Sequence, residues 1–161
     1  MEYADIWEKT LANNEKIDFE FSISGHYRQF NLFIRLIIAF IFSSFFYFAS
    51  IWLSAFIFTL IFLCLIFYYE FYLRAANAYA FTNQRVLIHR GWLSTHTISI
   101  DYQKITDLTV VEPFFERILT NSGDLHIDTA GTPAQEIVLR HISSPYEAKK
   151  KLEEIKSKIN Y

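Results

Sequence analysis

The pattern of apolar and polar positions divides the chain into three parts, and the middle part carries the strongest signal. Thirty-four consecutive uncharged residues, 36–69, lie between Arg35 and Glu70. A stretch of this length without a charge is typical of transmembrane helices. About 30 mostly polar residues precede it, which is not the layout of a secretory signal peptide. We therefore expect the stretch to remain in the mature protein.

The length of the apolar stretch favours two membrane crossings. One helix of 34 residues would be about 51 Å long, whereas the hydrocarbon core of a bilayer is roughly 30 Å thick. With its apolar flanks the stretch has room for two helices and a turn around residues 49–54; a single long helix is the alternative. Arginines flank the stretch on both sides, and the predicted turn carries no charge. By the positive-inside rule, both ends then lie in the cytoplasm.

The polar and aromatic residues of the stretch bear on how the two helices pack. Hydroxyl groups could bond across to the partner helix or back to carbonyls of their own helix, and they belong to Ser43, Ser44, Ser50, Ser54 and Thr59. Aromatic belts are expected at both interfaces, with Tyr47 and Trp52 near the turn and Tyr27, Tyr68, Tyr69 and Tyr72 at the other end. No Asp, Glu, Lys, Arg or His lies in 36–69, which argues against a transporter or channel.

After the apolar stretch, the pattern changes to short alternating runs separated by turn residues. Six strands are predicted, at 79–82, 85–91, 96–102, 105–112, 124–129 and 135–141. Apolar pairs such as Val86 and Ile88 alternate with polar neighbours, which indicates a sheet with one face on a core. Residues 114–120, which follow Pro113, are predicted to form a short helical turn.

Both ends of the chain carry helix signals. Near the C-terminus, Ser144, Pro145 and Glu147 have the spacing of an N-cap, a first-position proline and a capping box. The apolar stripe of the helix that follows should pack on the sheet, and its lysines form a solvated face or a membrane-facing basic patch. At the N-terminus we predict a short amphipathic helix over 3–12 and a strand over 17–23. The sequence leaves open whether this segment packs on the other strands.

Composition and motifs narrow the function classes. A net charge of −2 and a sequence pI near 6.2 argue against a dedicated nucleic-acid binder. The single cysteine rules out an internal disulfide and a cysteine-based zinc site. The sequence has no His-Glu-x-x-His, Gly-x-Ser-x-Gly or glycine-rich phosphate-binding motif, so we predict no catalytic residue, metal or cofactor. His126 and Asp128 share a strand face, but a metal or proton-transfer site needs a third group that the sequence does not indicate.

The order of elements and several motifs resemble a known family. The apolar block is followed by Tyr-x-Phe-Thr-Asn-Gln-Arg-Val at 79–86, Arg-Gly-Trp-Leu at 90–93, Ile-Ser-Ile-Asp-Tyr-x-Lys-Ile at 98–105, Gly-Asp-Leu-His-Ile-Asp-Thr-Ala-Gly at 123–131 and a final amphipathic helix. Over roughly residues 30–157, the chain resembles the YdbS-like group of bacterial pleckstrin-homology (PH)-like membrane proteins. These motifs are structural, so they indicate a fold and not an activity.

The resemblance implies a membrane α-helical hairpin of two transmembrane helices and a small, mainly antiparallel β PH-like domain capped by a C-terminal α-helix. We accordingly divide the chain into an N-terminal cytoplasmic segment (1–29), the transmembrane hairpin (30–74) and the PH-like domain (75–161). The expected location is the cytoplasmic (inner) membrane of the cell, as a multi-pass protein with both termini in the cytoplasm.

The expected function is interaction at the membrane, without catalysis. The PH-like domain would bind a protein partner, another copy of the chain as a homo-oligomer, or lipid headgroups of the bilayer. The candidate residues for weak contact with anionic headgroups are Arg74, Arg85, Arg90 and Lys104. The alternative is an accessory subunit or small enzyme of envelope metabolism that uses His126 and Asp128 near the bilayer.

Overall fold

The computed structural model describes residues 3–48, 52–91, 94–130 and 137–159. The N-terminal segment forms a one-turn helix, α1 (Ala4–Trp7), and a strand, β1 (Ile17–Ser22). The helix is shorter than the predicted 3–12 because the chain continues in turns after Trp7 and passes through Asn14 with a left-handed φ of 70°.

The apolar stretch forms two antiparallel helices, α2 (Gly25–Phe48) and α3 (Trp52–Ala75). The ring centroids of Phe42 and Phe58 are 6.4 Å apart, and those of Tyr47 and Trp52 are 4.5 Å apart. Two helices therefore form where a single long helix was the alternative. Residues 49–51 of the predicted turn lie outside the described part of the chain, and α3 begins within that turn, at residue 52.

Both expected uses of the hydroxyl groups occur in this helical hairpin. The hydroxyls of Ser43 and Thr59 form a hydrogen bond between the two helices. The hydroxyl of Ser44 instead donates to the carbonyl of Phe40 in its own helix, at 2.8 Å. Two neighbouring serines thus differ, since Ser43 bonds to the other helix and Ser44 bonds within its own helix.

The hairpin leaves most of its apolar side chains uncovered. Each helix is long and apolar enough to cross a membrane, by length and composition. Phe40 and Phe48 of α2 are 73% and 84% exposed, and Leu53 of α3 is 75% exposed. A core helix of a soluble protein would bury such side chains against its neighbours.

The hairpin is inserted between two strands that are neighbours in one sheet. This sheet has the order β1-β2-β3-β4 and contains β2 (Asn77–Thr82), β3 (Arg85–Arg90) and β4 (His96–Asp101), all antiparallel. β1 precedes α2 in the chain, and β2 follows α3. Since β1 pairs with β2, residues before and after the hairpin form a single sheet.

A second antiparallel sheet and two helices complete the fold. The sheet has the order β5-β6-β7, with β5 (Ile105–Val111), β6 (Ser122–Thr129) and β7 (Ile137–Ser143). A short helix, α4 (Phe114–Thr120), connects β5 to β6, and α5 (Pro145–Ile159) follows β7. The predicted strands are thus present with small shifts at their ends, and residues 135 and 136 of the last one lie outside the described residues.

The two sheets and α5 enclose one main core. Phe81, Ile88, Leu125 and Leu139 are fully buried there. From the apolar stripe predicted for α5, Ala148, Leu152 and Ile155 join this core, while the side chain of Ile159, its fourth residue, lies outside the described part of the structure. The antiparallel sheets capped by a C-terminal helix are the arrangement that the resemblance implies.

The N-terminal segment packs on the outer face of the first sheet, which answers the question that the sequence left open. The indole of Trp7 is 1% exposed and forms a second small core with Ala78, Ala80 and Leu87. β2 therefore carries small side chains on this face, where the indole lies close to the backbone.

Candidate functional site

The four candidate headgroup residues do not converge on one site. β2 runs away from α3, so its first residue, Asn77, marks the hairpin end of the sheet, and Arg90 pairs with Asn77 in the ladder. Arg85 lies at the opposite end of β3, paired with Asp101. The two arginines are five steps apart along the strand, which is about 17 Å. Lys104 follows Asp101 by three residues in the chain and therefore lies at the far end with Arg85.

Two of the four residues lie at the hairpin end. Arg74 belongs to the last turn of α3, and its side chain lies outside the described part of the structure. Arg90 is half-buried, and its guanidinium donates a hydrogen bond to the carbonyl of Val138 on β7. Arg90 thus links the two sheets while staying near the hairpin.

The guanidinium of Arg85 binds a buried carboxylate. Its Nε donates to Oε1 of Glu15 at 3.0 Å, its Nη2 donates to Oε2 at 2.9 Å, and Nη2 also donates to the carbonyl of Thr10 at 3.2 Å. The side chain of Glu15 is fully buried, and that of Arg85 is 26% exposed. This bidentate pair fastens the N-terminal segment to β3.

The electrostatics of the pair are set by burial and by hydrogen bonds. Burial by itself raises the pKa of Glu15, but hydrogen bonds from Arg85, the Ala12 amide and the Thr82 hydroxyl outweigh it, and the pKa lies below the ordinary value. The hydrogen bond to Glu15 raises the pKa of Arg85. Beside them, burial raises the pKa of Tyr102, whose hydroxyl donates to the carbonyl of Thr82 at 2.6 Å. Both ends of the ion pair therefore stay charged at neutral pH.

Lys104 has a different environment. Its amine lies 3.2 Å from the carboxylate of Asp101, and the two side chains are 66% and 58% exposed. An exposed pair of this kind contributes little to stability. The amine remains accessible, but it lies at the end of the sheet away from the hairpin.

A polar cluster lies where the hairpin meets the second sheet. Nδ1 of His141, on β7, is 2.9 Å from Oε2 of Glu116 on α4, and the His141 amide donates to Oδ1 of Asp124 on β6 at 2.8 Å. The His141 carbonyl accepts a hydrogen bond from the Ser24 amide at 2.7 Å, directly before α2. On α2, the ring of Tyr27 stacks on the imidazole at 4.0 Å. We call these five residues the junction cluster.

The junction cluster has ligand chemistry that a divalent cation could use. One ligand atom each from Glu116, Asp124 and His141 lies within 4.8 Å of the others. Imidazole and carboxylate groups bind several transition metals. In the structure, however, the His141 ring is hydrogen-bonded to Glu116, Asp124 accepts from the backbone amide of His141, and all three residues are only partly buried. The arrangement is that of a structural joint between α2, α4 and the second sheet.

The end of the hairpin that joins the domain has a second joint between its helices. The Arg35 guanidinium lies over the ring of Tyr69 at 3.6 Å from the centroid, and its Nε donates to Asn31 at 3.1 Å. About 17 residues of α3 separate this tyrosine from Trp52, which is about 26 Å along a helix and close to the thickness of a bilayer core.

The pair singled out for metal or proton-transfer chemistry, His126 and Asp128, lies on the outward face of β6. The burial pattern of β6 alternates, with Leu125 and Ile127 buried and their polar neighbours partly exposed. In the ladder, His126 pairs with Thr109 and Asp128 pairs with Asp107. The two residues share one face, as their spacing predicts.

Sequence reasoning missed the junction cluster. Glu116, Asp124 and His141 come from three different elements, and no spacing rule joins them. The only local signal concerns His141 itself, whose left-handed φ of 53° is tolerated by few residue types, histidine among them. That signal is visible only in the folded backbone.

Comparisons with known proteins agree with the fold. Among solved structures, the chain is similar to a DUF1696 family protein with a pleckstrin-homology domain from Shewanella loihica PV-4, with 11% identity, 96% of this chain and 94% of the other covered, and a TM-score of 0.51. A pleckstrin homology domain from Shewanella amazonensis SB2B aligns with 10% identity, 96% coverage of both chains and a TM-score of 0.49. No curated protein matches the chain.

At such low identity, the first of these structures supports the fold alone. The assignment to a family comes from the family model for the bacterial PH domain, which matches residues 33–161 and therefore most of the chain. The narrower resemblance to the YdbS-like membrane group stays a prediction. By its family match and by its two antiparallel sheets with a C-terminal helix, the chain belongs to the bacterial PH domain family.

Proposed function

We propose that the chain is a non-catalytic integral membrane protein that holds a PH-like interaction domain against the cytoplasmic surface of the membrane. Domains of this class generally bind lipids or proteins, and the family match supports that general role. In this proposal, α2 and α3 span the membrane, and both chain termini lie in the cytoplasm.

The observation that carries the proposal is the shortness of the connections between the hairpin and the sheets. Only residues 23 and 24 separate β1 from α2, and only Ala76 separates α3 from β2. Ile23 forms a bridge to Ile142 of β7, and the Ala76 carbonyl accepts a hydrogen bond from the Gly91 amide. Both connections are thus bonded into the domain, so a hairpin that spans the bilayer would fix the orientation of the domain at its surface.

The aromatic and charged residues of the hairpin support the same orientation. Tyr47 and Trp52 pack together at the tip, while the cation–π pair of Arg35 and Tyr69 lies at the end that joins the domain. Tyrosine and tryptophan favour the membrane interfaces, and arginine favours the cytoplasmic side. The domain therefore lies on the side that the positive-inside rule assigns to the cytoplasm.

Among the interactions open to such a domain, headgroup contact is best placed at Arg74 and Arg90. Both residues lie at the hairpin end of the fold, whereas Arg85 and Lys104 lie at the far end. A basic residue near an anionic surface contributes about 1 kcal/mol, and the attraction decays within a Debye length of roughly 10 Å. The contact at Arg74 and Arg90 is weak and supports the orientation of the domain.

The alternative enzymatic role keeps His126 and Asp128 as its candidate residues. A metal that co-purifies with the protein and is lost on His126→Ala would favour that alternative. The same metal measurement on Asp107→Asn would show whether the carboxylate opposite Asp128, on the neighbouring strand, contributes to metal binding.

The proposed topology can be tested by cysteine accessibility in intact cells. In a Cys64→Ser background, single cysteines would replace Tyr47 at the hairpin tip and Lys158, an exposed residue at the end of α5. A membrane-impermeant maleimide should label residue 47 in intact spheroplasts and residue 158 only after lysis. Two results would contradict two crossings with a cytoplasmic domain. One is equal labelling of both positions before lysis, and the other is no labelling of either position after lysis.

A further inference from the structure

The short helix α4 has its apolar side turned outward. Its four large apolar side chains are exposed, namely Phe114 (69%), Phe115 (73%), Ile118 (62%) and Leu119 (51%). At 100° per residue, these positions fall within an arc of about 140°, which is one continuous face. We call this surface the α4 apolar face.

The opposite side of α4 carries the polar residues, and these are bonded to the domain. The carboxylate of Glu116 is 2.9 Å from Nδ1 of His141. The hydroxyl of Thr120 is hydrogen-bonded to the Ser122 hydroxyl and is buried. In a soluble protein, a surface helix usually shows the reverse pattern, with its apolar stripe on the core and its polar side in water. The apolar side of α4 therefore faces away from the domain, toward the surroundings of the protein.

The position of α4 indicates what covers that face. α4 packs against α2 and is connected to its first turn through the junction cluster, since Glu116 binds His141 and His141 stacks on Tyr27. From Tyr27 to Phe33, which is 61% exposed, is about 9 Å along the helix. α4 therefore lies beside α2, close to the start of the exposed apolar surface of the hairpin.

We propose that α4 lies in the bilayer interface, with Phe114, Phe115, Ile118 and Leu119 inserted among the lipids beside the hairpin. The inference rests on the proposed function, because the hairpin must first be in the membrane. Helices that lie in the interface place Phe and Leu about 5–10 Å into the boundary between headgroups and acyl chains. Arg117, whose side chain is 72% exposed, lies at the rim of the face, where its guanidinium reaches the headgroups.

The lipid insertion of α4 gives the domain a contact with the bilayer that does not depend on the two connections. The junction cluster joins α2, α4 and the second sheet, so the domain is attached to two membrane-bound elements. The hairpin helices can still tilt in the bilayer together with the domain, and the insertion of α4 restricts that tilt.

Collision accessibility of spin labels tests the proposal in the full chain reconstituted in lipid vesicles. The native Cys64, which is exposed on α3, reports on the hairpin in the wild-type protein. Labels at Phe115→Cys and Ile118→Cys report on α4, and a label at Lys158→Cys is the aqueous control; these three are made in a Cys64→Ser background. For each label, the ratio of relaxation by oxygen to relaxation by a water-soluble nickel chelate measures depth in the membrane.

The expected result is an oxygen-to-nickel ratio at residues 115 and 118 that is well above that of residue 158 and below that of Cys64, which lies at the middle of α3. If Cys64 shows a membrane ratio while residues 115 and 118 match residue 158, the lipid insertion of α4 is wrong and the proposed function stands. If residue 118 is shielded from both reagents and shows spin–spin broadening, a second copy of the chain covers the face, and the lipid proposal is wrong. If Cys64 itself has an aqueous ratio, the proposed function and the inference both fail.

Discussion

The imidazole of His141 and the phenol ring of Tyr27 lie face to face, with centroids 4.0 Å apart and ring planes only 7° from parallel. Tyr27 belongs to the first turn of α2, and His141 belongs to β7, so the stack joins the apolar hairpin to the second sheet. The Ser24 amide adds a backbone hydrogen bond to the same histidine. Together these contacts hold the hairpin at a fixed angle to the domain.

Replacing Tyr27 by leucine should loosen this joint without unfolding the domain. An aromatic pair contributes about 0.5–1.5 kcal/mol beyond its buried area. We expect the amides of β7 and of Ser24 to exchange hydrogen several-fold faster in the variant, measured by mass spectrometry on the full chain in micelles. Tyr146→Leu is the matched control, because Tyr146 is 63% exposed on α5. Equal exchange in the two variants would show that the ring stack does not hold the joint.

The ion pair of Glu15 and Arg85 should contribute more to stability than any exposed pair of the protein. Glu15→Gln leaves the guanidinium without its carboxylate in a partly buried position, which we expect to cost about 1–3 kcal/mol of the free energy of unfolding. Denaturant titration in micelles measures the change. The control is Glu153→Gln, which removes an exposed carboxylate 3.9 Å from the amine of Lys149, with an expected cost of about 0.5 kcal/mol or less.

The same pair gives a direction for the acid sensitivity of the protein. The pKa of Glu15 is lower in the folded chain than its ordinary value of 4.5, so the folded state binds this proton more weakly than the unfolded state. The stabilisation is complete above the ordinary value and is lost as the pH falls through the lower, folded value. The wild-type protein should therefore lose more stability than Glu15→Gln between pH 5 and the acid transition. Parallel curves for the two proteins would contradict this assignment.

Two lysines of α5 protect the open edge of the second sheet. Nζ of Lys149 donates to the carbonyl of Leu108 at 2.8 Å, and Nζ of Lys156 donates to the carbonyl of Ile105 at 2.7 Å. Both carbonyls belong to β5, which is the edge strand. An uncovered edge can pair with another chain.

Replacing Lys149 and Lys156 together by methionine should destabilise the domain by about 1 kcal/mol and increase self-association, because the edge carbonyls lose their donors. Denaturant titration and sedimentation in detergent measure the two effects. The control is the double variant Lys150→Met and Lys158→Met, which removes the same charge from exposed positions. If the control associates as strongly, loss of charge and not loss of edge protection is the cause.

The sequence predicted the positions of the strands and helices better than it predicted which strands pair with each other. Alternation located six strands after the hairpin and one before it, because each strand has one face on the core. It left open that β1 pairs with β2 across the whole hairpin, since a local pattern does not name the strand on the other side. The predicted helix start at Ser144 is correct in position, but Ser144 has a φ of 49° and not the extended conformation typical of an N-cap.

The polar contacts were less predictable than the strands, because many of their partners are backbone atoms or distant residues. The lysines of α5 were predicted to form a solvated face or a membrane-facing patch, yet two of them bind carbonyls of β5. Since every residue has a backbone carbonyl, the sequence does not indicate which carbonyls accept these bonds. Arg85 was a headgroup candidate on charge alone, and its contact with Glu15 joins residues 70 positions apart. Only the folded chain shows which charges are used internally.

The position of the arginines predicts which of them affects lipid retention. Arg74→Gln combined with Arg90→Gln should lower the retention of anionic lipid by about fivefold per residue, since each basic group near the surface contributes about 1 kcal/mol. Lipids that co-purify in mild detergent are measured by mass spectrometry. Lys104→Gln is the matched control, because Lys104 has an exposed charge at the opposite end of the sheet. An equal loss in the control would place the lipid-facing surface at the far end of the domain and would overturn the proposed orientation, whereas no loss in either variant would exclude these residues as headgroup contacts.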